Sequence, residues 1–115
     1  MAKFIEVAGV DELESGTMKA VVAAGQELLL ARVGERFYAA DRRCPHMKGD
    51  LSRGELAGTV VTCPRHGSQF DLSSGRVVRW TKGRLMSKMW GVLKRPRDLV
   101  VYNVKVEDGR VLAEV

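Results

Sequence analysis

Apolar and polar positions alternate along most of the chain in short bursts. "KFIEVA" alternates from the start, and "TMKAVVAA", "QELLLARV" and "RFYAAD" follow, separated by Gly25 and by Gly34-Glu35. After a more irregular stretch come "TVVTC", "SQFDL", "GRVVRW", "LVVYNVKV" and "RVLAEV". Runs of this length with a period near two, punctuated by turn residues, predict β-strands. Ser74-Gly75 marks one turn, and Asp108-Gly109 between "VYNVKV" and "RVLAEV" is a strong hairpin signal. "VDELES" has the look of a single helical turn. Many short strands with close turns predict an all-β fold of stacked antiparallel sheets, a sandwich or small barrel.

One segment breaks the rhythm. In "GRLMSKMWGVLK", Leu85, Met86, Met89, Trp90, Val92 and Leu93 recur at roughly helical spacing, with Arg84, Ser87, Lys88, Gly91 and Lys94 between them. This predicts a short basic amphipathic helix near residues 84–95, weakened by Gly91 and stopped by Pro96.

Composition narrows the class. With 115 residues the chain has room for one core, and it is read as a single domain over 1–115. Apolar content of 45% and charged content of 29% are globular values. "MAKFIEVAGV" has no long apolar leader, and the longest uncharged apolar run, "AVVAAG", is too short to cross a bilayer. The expectation is a cytoplasmic protein without membrane association. The net charge of +5 is local in origin. Residues 76–97 hold eight basic side chains and no acid, whereas the rest of the chain has a net charge of −3. That basic segment reads as the solvated face of an added helix or as a docking surface for an acidic partner. No motif for nucleic-acid binding accompanies it.

The sharpest chemistry lies in the middle of the chain. Its two cysteines and two histidines, Cys44, His46, Cys63 and His66, all fall within 23 residues. The pattern is C-x-H, sixteen residues, then C-x-x-H, and each half follows a strand-like run. One disulfide is conceivable, but in a reducing compartment cysteine beside histidine at this spacing points to metal. Thiolate and imidazole suit zinc or iron in a sulfide cluster. Familiar structural zinc sites pair cysteine with cysteine and histidine with histidine, whereas here each half is mixed. Pro45 and Pro64 stiffen the turns after the cysteines, and Gly67 permits close backbone approach behind His66, where N–H groups could reach sulfur.

"CPHMKGDL…TCPRHGSQFDLSSG" resembles the two cluster-binding loops of Rieske [2Fe–2S] proteins, specifically the small soluble Rieske-type ferredoxins. The resemblance covers the chain except roughly residues 80–98. It implies a two-loop cluster-binding subdomain and one [2Fe–2S] cluster per chain. Cys44 and Cys63 would hold one iron and His46 and His66 the other. Gly67 and Ser68 would sit against the cofactor. Phe70 stands where relatives of the respiratory type carry a tyrosine, and the chain lacks the extra cysteine pair of those proteins. Both departures favour a reduction potential below about 0 mV, with Arg65 pushing modestly the other way. No histidine is left over for a mononuclear iron site, and no GxGxxG fingerprint is present. The implied role is that of an electron carrier, not a catalyst, between a reductase and an oxygenase or other terminal oxidoreductase. A permanent subunit of a larger oxidoreductase, or a structural zinc module, would carry the same four ligands.

Overall fold

The structure is a computed structural model that describes residues 3–45, 48–65, 67–80 and 97–115. Among the described residues, eleven strands form three antiparallel sheets. The terminal sheet joins β1 (Phe4–Gly9), β11 (Arg110–Glu114) and β10 (Val104–Glu107), in the order β1-β11-β10. The central sheet has the order β2-β3-β4-β9, from Thr17–Ala23, Gln26–Val33, Arg36–Asp41 and Val101–Tyr102. A small third sheet is a meander of β5 (Glu55–Ala57), β6 (Val60–Thr62), β7 (Gln69–Asp71) and β8 (Val77–Arg79).

Local turn chemistry sets the registers. Ala24 and Gly25 both have positive φ (52° and 78°) between the paired residues Ala23 and Gln26. Asp108 and Gly109 do the same (51° and 74°) between Glu107 and Arg110. Two successive left-handed residues give the turn whose twist matches that of a two-residue hairpin. The Asp108-Gly109 signal is therefore borne out. So is the helical turn in "VDELES", as a 3₁₀ turn over Val10–Glu12.

The central sheet is buried on both faces. Leu28, Leu29, Leu30 and Ala31 are all fully buried, which a one-sided sheet would not allow. Because successive side chains point to opposite faces, Leu28 and Leu30 join Ala39, Val111 and Ala113 in a core under the terminal sheet. Leu29 and Ala31 join Ala40, Leu51, Val61, Phe70, Leu72 and Leu99 in a second core under the small sheet. Both cysteines belong to that second core. Stacked antiparallel sheets are thus what the structure shows.

Two boundaries differ from the sequence reading. "LVVYNVKV" is not one strand: it breaks at Asn103, so that β9 finishes the central sheet and β10 enters the terminal one. β5 was not expected, because "ELA" between Gly54 and Gly58 is too short to show a period. The helix expected near 84–95 lies outside the described residues. Among the described residues no helix is long and apolar enough to cross a membrane.

Candidate metal centre

Cys44 follows β4 and Cys63 directly follows β6, so each cysteine opens a loop at the end of a strand. The two loops share one backbone pattern. The Cys44 N–H donates to the Gly49 carbonyl (2.8 Å), and the Cys44 carbonyl accepts from the Lys48 N–H (2.7 Å). The Cys63 N–H donates to the Ser68 carbonyl (2.7 Å), and the Cys63 carbonyl accepts from the Gly67 N–H (3.1 Å). In both, the residue four beyond the cysteine is left-handed: Lys48 at φ 57° and Gly67 at φ 73°. Glycine takes that conformation without cost, whereas a lysine is strained by it. The N–H of Gly67 is engaged by the Cys63 carbonyl, a use the sequence did not suggest.

The first loop approaches the second closely at the Cys63 sulfur. A Cβ built on Gly49 of the first loop would lie 2.7 Å from the Cys63 Sγ of the second. Only glycine leaves the sulfur its space. Cys44 and Cys63 are 1% and 2% exposed, and they are not joined by a disulfide. Leu51 and Phe70, both fully buried, wall the same core, and Phe70 meets Trp80 edge to face. His46 and His66 lie outside the described residues. Ser68 is fully buried, and its hydroxyl donates to the Trp80 carbonyl, so that proton is committed to the backbone.

Charged side chains lock the loops in place. At the neck of the first loop, the Leu51 N–H bonds to the Arg42 carbonyl (2.9 Å), and Arg43 and Asp50 form a bridge. Asp50 accepts two hydrogen bonds from Arg42 (3.1 and 2.8 Å) and caps the 3₁₀ turn Leu51–Arg53 through the Ser52 N–H (3.0 Å). Hydrogen bonding by the Arg42 guanidinium, helped by Ser52, holds the Asp50 carboxyl well below the usual carboxylate range against the opposing effect of burial. Further out, Arg97 donates to the Pro45 carbonyl (2.9 Å) and Arg79 to the Gly67 carbonyl (3.0 Å). One arginine thus grips each loop. Sequence reading missed Arg42, Asp50, Gly49, Arg79 and Arg97; "KGD" after Cys44 and His46 was the one available signal, since Gly-Asp before an apolar residue suits a tight turn and cap.

The described residues fit an iron–sulfur group. Thiolate donors must be shielded from water, and both cysteines are buried in one core of apolar side chains, with the first loop's Gly49 against the Cys63 sulfur. Two like-built loops, one after the central sheet's β4 and one after the small sheet's β6, each opening with a buried cysteine, define a class of two-loop metal-cluster proteins. The chain belongs to the Rieske [2Fe–2S] domain family, whose sequence model matches residues 3–88. The ferredoxin component of the alkene monooxygenase system of Xanthobacter autotrophicus is 31% identical over 96% of this chain and 80% of its own length. The ferredoxin component of the naphthalene 1,2-dioxygenase system of Pseudomonas putida is 27% identical over 98% of this chain and 96% of its own. Among solved structures, a chain of the complex of reduced oxygenase and oxidised ferredoxin in carbazole 1,9a-dioxygenase superposes with a TM-score of 0.76. It is 29% identical, over 96% of this chain and 91% of that one. The protein accordingly carries one Rieske [2Fe–2S] cluster and serves in electron transfer.

Proposed function

We propose that this protein is a single-domain, cytoplasmic ferredoxin that takes one electron from a reductase and delivers it to a terminal oxygenase. Its relatives in naphthalene and alkene oxidation are ferredoxin components of such systems. In this reading Cys44 and Cys63 hold one iron of the cluster and His46 and His66 the other. When bound, the cluster supplies a one-electron couple, with neutral imidazole making reduction easier than four thiolates would. The chain's own residues keep the site dry and rigid. Leu51 and Phe70 exclude water from the sulfur atoms, Gly49 leaves Cys63 its room, and Gly67 and Ser68 turn the second loop back toward β7. The observation that carries the reading is the pairing of two buried cysteines on like-built loops, the second sulfur resting on the first loop's glycine.

The deciding experiment is EPR of the dithionite-reduced protein, with iron and acid-labile sulfide counted per chain. Two irons, two sulfides and a low average g support the assignment, and they should be lost in His46→Ala and His66→Ala. A colourless protein with one zinc would overturn it. Multiple turnover of an oxygenase by substoichiometric amounts of this protein distinguishes a mobile carrier from a permanently held subunit.

A further inference from the structure

We infer that the surface around the two cluster loops is a basic docking face for an acidic protein partner; this rests on the electron-carrier reading above. Two open clefts flank the loops. One is lined by Arg53, Arg65 and Arg79 with Glu55 as its one carboxylate, beside Cys63 and Pro64. The other is lined by Arg43, Lys48 and Arg97 with Asp41 and Asp98, beside Cys44 and Pro45. All six cations are exposed.

The carboxylates there offset them only in part, since six basic side chains line the two clefts against Glu55, Asp41 and Asp98 among the described residues. Asp41 accepts from the Tyr102 hydroxyl (2.5 Å) and Asp98 from the Val77 N–H (3.0 Å). Arg53 has Asp50 at 3.7 Å, but Asp50 is already gripped by Arg42. Arg43 has Glu27 at 3.8 Å. Exposed pairs at such distances are weak and screened. An excess of positive charge therefore remains on both sides of the loops that hold the cysteines. Concave surfaces with an excess of one sign of charge concentrate an oppositely charged partner and speed its approach. Placed here, the field orients the partner's acidic face over the cluster loops, where the path to the cysteines is short. Arg79 and Arg97 contribute twice, since the same side chains hold the loop carbonyls.

Two probes of known charge test this on the holoprotein. In the first, dithionite-reduced protein passes one electron to ferricyanide, a trianion that becomes ferrocyanide, or to tris(phenanthroline)cobalt(III), a trication. Between about 10 and 300 mM salt the ferricyanide rate should fall at least about fivefold, while the cobalt rate should hold or rise. The variant Arg43→Gln/Arg53→Gln/Arg65→Gln should lose most of that salt dependence. Lys3→Gln/Lys105→Gln/Arg110→Gln, which removes the same charge from the terminal sheet, should keep it. In the second, calorimetry should show polyglutamate binding the protein and polylysine not, with binding lost in the first variant alone. A ferricyanide rate flat in salt, or equal loss in both variants, overturns the proposal. Tighter binding of a DNA oligonucleotide or of phosphatidylserine vesicles than of polyglutamate at equal salt also overturns it. If dithionite reduces nothing, the carrier reading fails, and the polyglutamate titration still decides the surface.

Discussion

Arg42 and Asp50 face each other across the neck of the first cysteine loop, with Nη2 2.8 Å from Oδ2 and Nε 3.1 Å from Oδ1. Every residue of the loop, Cys44 included, lies between them in sequence. The pair therefore fixes where the loop leaves the core and returns, and Asp50 also caps the turn that buries Leu51.

Replacing Asp50 with Asn should loosen that neck. Loss of the charged pair and weakening of the cap should lower the thermal midpoint by about 4–8 °C and lower iron retained per chain. The pH dependence has a definite sign. The folded state holds the Asp50 carboxyl below its ordinary value, so its stabilisation is present above about pH 4 and is lost as pH falls further. Acid denaturation followed by circular dichroism should show a shallower acid limb in Asp50→Asn.

Gly49→Ala should act on the cluster rather than on the fold. The new methyl would stand 2.7 Å from the Cys63 Sγ, too close for either atom to stay in place. The expected outcome is a folded protein by circular dichroism with less than about half the wild-type iron and sulfide. Full cluster content would show that the loops separate without cost.

Lys48 and Gly67 occupy equivalent left-handed positions, and their substitutions should differ in sign. Lys48→Gly relieves the strain of a side chain at φ 57° and should stabilise by about 0.5–1 kcal/mol. Gly67→Ala imposes the strain at φ 73° and should destabilise by about 1–2 kcal/mol. Urea midpoints of the two variants at unchanged m-value check the pair.

Tyr102 gives an alkaline signature. It donates to Asp41 and accepts from Gln26, and burial together with the Asp41 carboxylate raises its pKa to about 12. A raised phenol pKa means stability is intact below about pH 10 and is lost as pH rises toward 12. Tyr102→Phe should flatten the loss of stability between those values, measured by urea unfolding at stepped pH.

The strands with a clear period of two, and the two-residue turns that carry Gly, are legible in the order of residues. β2, β3 and β4 fall within a residue of where alternation and Gly25 or Gly34 put them. "ELA" is not legible because a three-residue strand held by partners needs no pattern of its own. The break at Asn103 is not legible because the apolar run on either side is continuous while the partner sheet changes.

The donor types and their spacing belong to the sequence alone: thiolate and imidazole chemistry is carried by the residue, and two matching loops follow from two similar strings. What holds the loops is tertiary. Arg42 and Asp50 are eight residues apart, Arg97 reaches Pro45 across 52 positions, and Gly49 meets Cys63 from the other loop. Such contacts depend on how separate strands stack, and a linear string of residues records neither the approach of Gly49 to a sulfur atom nor the gathering of distant arginines into one field.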